Sequence, residues 1–407
     1  MEVSQLALEW LNTCRSHHLT CDGVDATRDS NFFPPRLLKV SIGEPQACHL
    51  LIPRDERLVK GSRYVALSHC WGKNPSTMTL TTDNMDRMKE NIPLSGLPKS
   101  FLEAIQICQR LGFQYVWIDS LCIIRSGPGS EEDWQLHVAI MDIIYVNCEL
   151  NIAVAHASDS TQGCFVDRDP DFIQTAYVYA PVAMGLDHLT LDSSNESEIY
   201  APHADSFDLN AMSSLVTIFA GEHDFRSSLQ HKHPLGKRAW VFQERLMAPC
   251  TLHFGKDRIF WECNEKVLNE YLPWGLPHTG ATFSTHGEPP FSLPPEVLRS
   301  EPTPHVDQAA IASLQEDWHL FIDYYSQMNL TYPGKDKLIA ICAIAKRFGR
   351  ALPGPYAAGL FLSSNPLGLL WEKCYDGLNY TRTYEDGWEE KIIIDTGRDP
   401  VYRAPSW

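Results

Sequence analysis

Two short runs in the first half of the chain are apolar at consecutive positions, "YVAL" (64–67) and "YVWI" (115–118), and a third, "LNIAVA" (150–155), is apolar but for Asn151. A half-exposed strand alternates apolar and polar residues, so unbroken apolar runs belong to strands covered on both faces. Between the first two runs lies "LPKSFLEAIQICQRLGF" (97–113), whose Phe101, Ile105, Cys108 and Leu111 share one helical face and whose Gly112 ends it. Between the second and third lies "EEDWQLHVAIMDIIYVN" (131–147), opened by acidic residues that suit the positive end of a helix. Strand, helix, strand, helix, strand predicts an α/β fold built on a parallel sheet.

Sites in such sheets form at the carboxyl ends of the strands. There "YVALSHCWG" runs out into Ser68, His69, Cys70 and Trp71, and "YVWIDSLCII" into Asp119, Ser120 and Cys122. Neighbouring strands lie about 4.8 Å apart, so the two ends are expected to share a pocket. His69 and Asp119 together can move a proton. Trp71, with Cys70, Cys122, Trp117 and Trp240, is expected to line the substrate side. The alternative is that His69 and Asp119 tie their loops together through buried hydrogen bonds.

The remaining chain divides by composition. Residues 1–60 read as an N-terminal helix followed by the short strands "RLLKVSI" and "CHLLI", and 61–170 as the α/β core. Residues 171–271 read as a polar, acidic excursion followed by a second block in which "RAWVFQERLMAPCTLHFGKDRIFWEC" gives a helix and a hairpin. A Pro-rich loop or lid is expected over 272–306, and C-terminal helices and strands packed on the core over 307–407. On the helix of the second block, Arg238, Glu244 and Arg245 read as a structural ion-pair network, and Gln243 as a neutral hydrogen-bond donor to a substrate carbonyl.

Lys and Arg number 34 against 51 Asp and Glu, a net charge of −17 that repels phosphate backbones and anionic membranes. Nucleic acid and membrane are therefore not expected as partners. The amino terminus has no basic start and no long apolar run, so no signal peptide is expected and the location reads as cytoplasmic. The 12 Cys are scattered, as in reduced intracellular proteins. Cys14, His18 and Cys21 have a spacing that suits zinc, with the fourth ligand left open and Cys48 one candidate. Sequence leaves the oligomeric state open.

"RYVALSHCWG", "LPKSFLEAIQICQRLGFQYVWIDSLCII", "EEDW", "LNIAVAHA" and "PLGKRAWVFQERLMAPCTLHFGKDRIFWEC" together resemble the heterokaryon-incompatibility (HET) domain of filamentous fungi. The opening "WLNTCRSHHLTC" and the terminal "RAPSW" fit the same resemblance. It implies a flavodoxin-like core similar to the TIR domain, some members of which cleave NAD with a glutamate. It also implies a role in cell death between incompatible fungal cells, while a smaller set of HET-like proteins is associated with secondary metabolism. This chain departs from the family pattern at His137, where an acidic residue is usual, and at Ile124-Arg125, where a hydrophobic residue and Gln are usual. It also lacks an attached nucleotide-binding or repeat domain. His137 is expected to face the pocket, with an exposed or capping histidine as the alternative. Arg125 is expected at its rim, where it can meet a substrate carboxylate, with a solvated loop arginine as the alternative.

The departures favour a cofactor-independent cyclase acting on an apolar terpenoid or polyketide intermediate, for example by intramolecular [4+2] Diels–Alder cycloaddition. Its catalytic candidates are His69, Asp119, His137, Arg125 and Gln243. The alternatives are a cell-death effector with NAD-hydrolase or signalling activity and a binding scaffold without chemistry.

Overall fold

The computed structural model describes residues 3–21, 28–29, 31–43, 47–56, 58, 61–72, 78–168, 232–270, 273–274, 293–298, 308–357 and 359–362, plus the backbone of four further short strands. Eight strands make one sheet: β1 (Leu37–Val40), β2 (Cys48–Leu51), β3 (Tyr64–Ser68), β4 (Tyr115–Ile118), β5 (Leu150–Ala153), then β8 (Cys250–Phe254), β9 (Ile259–Cys263) and β10 (Val267–Asn269). Between β5 and β8 in the chain, β6 (Tyr177–Pro181) and β7 (Leu215–Phe219) form a separate antiparallel ribbon that the composition of 171–271 did not suggest.

The sheet order is β10-β9-β8-β5-β3-β4-β1-β2. The four central strands β8, β5, β3 and β4 are parallel, and antiparallel strands extend both sides. Every residue of β3, β4 and β5 is buried, as the consecutive apolar runs predict. Taken in chain order, the central four are arranged 2-1-3-4, the leading part of the flavodoxin order 2-1-3-4-5. The next strand outward, β9, runs antiparallel to β8, so the parallel series stops at four.

The connecting helices form where the periodicity places them. Helix α2 (Lys99–Arg110) buries Phe101, Ala104, Ile105 and Cys108 as one stripe, and Gly112, at φ 81°, ends the turn in a conformation that suits glycine. Helix α3 (Ser130–Asn147) buries His137, Met141, Ile144 and Tyr145, spaced along one face. Helix α1 (Val3–His17) opens the described chain. Helix α4 (Ala239–Met247) precedes β8 and packs against α3. Two more, α5 (Gln308–Ser326) and α6 (Cys342–Ala351), close an aromatic core with Phe242, Phe321, Trp318 and Phe348.

One expectation needs correction: the stretch 272–306 is not loop throughout, because Pro295–Leu298 form a helical turn that buries Val297 completely. Among the C-terminal strands, β11 (Tyr356–Ala357) and β12 (Leu360–Phe361) pair in a small sheet of their own. Residues 182–214 of the polar, acidic excursion lie outside the described residues. Among the described residues no helix is long and apolar enough to cross a membrane.

Candidate functional site

β3 pairs with β4 on one side, Leu67 opposite Ile118, and with β5 on the other, Ser68 opposite Ala153. All three therefore end at one edge of the sheet, and the order reverses there, which is where open α/β sheets take ligands. Beyond Ser68 the chain passes through His69, Cys70 and Trp71 to Gly72, whose φ of 83° turns it sharply. A Cβ at Gly72 would sit 2.6 Å from Asp159 Cβ, so the loop passes too close for any other residue. Beyond Ile118 the chain winds at once into a helical turn, Asp119–Cys122, rather than an open loop.

Asp119 is the hub of this edge. Its Oδ2 accepts from Trp71 Nε1 at 3.1 Å and from Arg125 Nη2 at 3.1 Å, and its Oδ1 accepts from the Ser120 amide at 2.6 Å. The Arg125 guanidinium lies over the Trp71 ring, 4.3 Å from its centroid, a cation–π contact that fixes both side chains. His69 stacks on Trp71 at 6.2 Å and meets Phe101 edge-on at 4.8 Å. Its Nε2 is 3.9 Å from Asp119 Oδ1, too far for a hydrogen bond. Burial lowers the His69 imidazole to about 4, so it is neutral at pH 7 and a weak base. The structure thus places His69, Trp71, Asp119 and Arg125 at one edge, with Asp119 bonded to Trp71 and Arg125 rather than to His69.

Behind them lies a residue that sequence reasoning set aside. Glu244, on α4, is buried and hydrogen-bonds the Ser68 hydroxyl, which also lies 3.1 Å from Asn151 Oδ1. Tyr145 joins both Ser68 and Glu244. Burial pushes the Glu244 carboxyl up to about 7, and the Asp119 charge adds to it. Ser68 has one hydroxyl proton for the two acceptors Glu244 and Asn151, and Tyr145 brings another to Glu244; a neutral Glu244 can donate to Ser68 in turn, which leaves the Ser68 proton for Asn151. The available signal was "WVFQERLM", where a glutamate sits among residues that a half-apolar helix must bury.

The expected network of Arg238, Glu244 and Arg245 does not form as such. Arg245 makes a two-pronged pair with Glu262 on β9, both contacts 2.6 Å, and His253 on β8 adds a third contact at 2.8 Å. Burial would raise the Glu262 carboxyl, but Arg245 and His253 outweigh it and hold it at about 2. Arg238 instead reaches the strand-end site, hydrogen-bonding the Cys70 thiol. Burial pushes that thiol up, so Cys70 is not an activated nucleophile. Arg238 also lines a surface cavity of about 160 Å³ with Trp240, Asn329, Leu330 and Thr331.

The other expected site residues make no hydrogen bond to the Asp119 carboxylate. Trp117 and Cys122 are fully buried in the core, Trp117 edge-on to Tyr145, so neither forms a pocket wall. Trp240 donates to Asp336. His137 is buried with Nδ1 2.8 Å from the Asp133 carbonyl, while Arg36 clasps the Asp133 carboxylate; it is neither exposed nor bonded to Asp119. Gln243 is buried, and its Oε1 has no partner among the described residues. At the distant edge formed by α1 and β9, Cys14, His18 and Cys21 do meet, and the fourth residue there is Cys263, not Cys48.

The model of the family described as Heterokaryon incompatibility protein (HET) matches residues 64–244, from the first residue of β3 to the buried glutamate of α4. No curated protein and no solved structure matches the chain. Residues 64–244 are thus a HET domain, which supports at the level of the family a role related to heterokaryon incompatibility.

Proposed function

We propose that this HET domain, with the strands that flank it, is a cofactor-independent cyclase acting on an apolar terpenoid or polyketide intermediate in the cytoplasm of a fungus. The observation that carries the reading is the contrast between two carboxyl groups at one sheet edge. Asp119 is tied to a cation and an indole N–H, while Glu244 is sealed behind Ser68 at about 7. Such a pairing assigns separate duties to two like groups. Asp119 holds Arg125 and Trp71 as a rigid rim, and Glu244 with Ser68 supplies a donor that is uncharged below neutral pH.

An intramolecular [4+2] closure needs little more. Two carbon–carbon bonds form, no group leaves and no electrons pass to a cofactor. Holding the reactive conformer can lower the barrier by several kcal/mol. One preorganised donor at the carbonyl of the electron-poor partner adds about 2–4 kcal/mol. Arg125 is the donor and Trp71 the wall that selects the folded substrate.

A second reading is favoured by the place of Glu244. A glutamate near the carboxyl edge of four parallel strands that follow the leading part of the flavodoxin order suits a nucleotide, and the HET match favours an effector that cleaves NAD. One experiment separates the two. The purified chain is incubated with a set of linear polyene substrates bearing an activated double bond, and separately with NAD. Ring products above the thermal background, redistributed by Trp71→Ala, support the cyclase. Nicotinamide release that Glu244→Gln abolishes, with no ring products, replaces it by the effector.

A further inference from the structure

Cys14 lies in the last turn of α1, His18 directly after that helix, and Cys21 one short turn later. Cys263 ends β9, far along the chain. The Sγ atoms of the three cysteines and a ring nitrogen of His18 all lie within 4.8 Å of one another, and all four residues are buried. We propose that these four residues bind one structural zinc ion that fastens the N-terminal helix to the sheet.

The distances fit the metal. With Zn–S about 2.3 Å and Zn–N about 2.0–2.1 Å, a tetrahedron sets its sulfur and nitrogen ligands roughly 3.5 Å apart. His18 Nδ1 lies 3.4 Å from Cys263 Sγ and 3.8 Å from Cys21 Sγ. Nδ1 is the nitrogen facing the thiols, so coordination would leave the ring proton on Nε2. The turn after β9 is shaped for a thiolate: the Lys266 amide donates to Cys263 Sγ at 3.3 Å, the kind of second contact that orients a metal-bound sulfur.

Three sulfurs and one imidazole nitrogen make a soft, closed set of four ligands. Such a set selects zinc over hard cations and leaves no open position for water or substrate. The site is therefore structural. It would also fasten α1 to β9 beside an aromatic contact already there. Trp10, midway along the helix, packs on Trp261 of β9, with ring centroids 6.2 Å apart, and the metal would close the same contact at the helix's C-terminal end.

The test uses the whole chain, purified under reducing conditions without chelator. Metal analysis is expected to give about one zinc per chain. Replacement by cobalt should give the intense visible bands of a tetrahedral ion and a near-ultraviolet thiolate charge-transfer band. Cys263→Ser should lose the zinc or bind it far more weakly, while Cys48→Ser, in the buried strand β2, should retain it. If Cys263→Ser does not fold, stoichiometry and the cobalt spectrum of the unaltered chain still decide. Three results would overturn the proposal: no zinc even after titration with zinc salt, full zinc retention in Cys263→Ser, or a mass two hydrogens low that reveals a disulfide among these cysteines.

Discussion

Replacing Glu244 with Gln tests whether the carboxyl behind Ser68 is neutral near pH 7. In the unfolded chain it titrates near 4.5, and in the folded chain near 7. The folded state therefore binds the proton more tightly. The stability this contributes is fully present below pH 4.5 and is lost as pH rises through 7. At about 1.36 kcal/mol per unit, the full loss is about 3 kcal/mol, of which about 2.5 kcal/mol falls between pH 5 and pH 8. Gln has the same shape, keeps a donor toward Ser68 and does not titrate. Glu244→Gln should match the parent near pH 5 and be about 2–3 kcal/mol more stable relative to it at pH 8. With an unfolding entropy of about 2.1 cal/mol/K per residue, or roughly 0.85 kcal/mol/K for the chain, this is a gain of about 3 °C in Tm. Paired melts of the two proteins across that pH range cancel every other titrating group. A difference in Tm that does not change with pH would refute a carboxyl titrating near neutrality, and the acid role with it.

Other expectations follow from contacts elsewhere. Glu262→Gln removes the partner of buried Arg245 and of His253 and should cost about 3–5 kcal/mol in urea unfolding at pH 7. Because the Glu262 carboxyl is held at about 2, its contribution is present above pH 4.5 and lost as pH falls toward 2. The deficit of Glu262→Gln should accordingly shrink in acid melts. Gly72→Ala puts a methyl 2.6 Å from Asp159 Cβ at a φ of 83°; the left-handed backbone alone costs about 1–2 kcal/mol, and a loss below 0.5 kcal/mol by urea unfolding would show that the loop yields. In the proposed cyclisation, Arg125→Ala should slow turnover by about 10²-fold, the worth of one preorganised donor. Unchanged turnover in single-turnover assays would remove Arg125 from the reaction.

The centre of the fold was legible because burial on both faces leaves an unambiguous mark: "YVAL", "YVWI" and "LNIA" have no exposed position to encode. The wings of the sheet were readable as strands but not as partners. β1 meets β4, and β5 meets β8, across long stretches of chain whose four- or five-residue strands carry no address. At the site, Trp71, Asp119 and Arg125 could be anticipated because strand ends are fixed by the strands. Glu244 could not, since it reaches Ser68 across 176 positions. Its neighbour Arg245 offered a nearer partner, and a buried glutamate runs against the usual preference of that residue for water. Cys263 was missed in the same way. It comes from the end of β9, and only the packing of α1 on that strand brings it to the Cys14 and His18 pair.

The span that matches the family begins with the first residue of β3 and stops inside α4. Cut out at those bounds, it would keep β3, β4 and β5 but lose β1, which covers one side of β4, and β8, which covers the other side of β5. Both flanks would become bare rows of unpaired peptide groups, a template for sticking to other chains. Leu246 and Met247, buried on the last turn of α4, would be gone as well. The recognisable segment and the autonomous folding unit are thus different lengths of chain. Transplanting this fold between hosts, or dividing it for expression, has to carry residues from about 37 to at least 254, because the wings cover the edges of the middle strands.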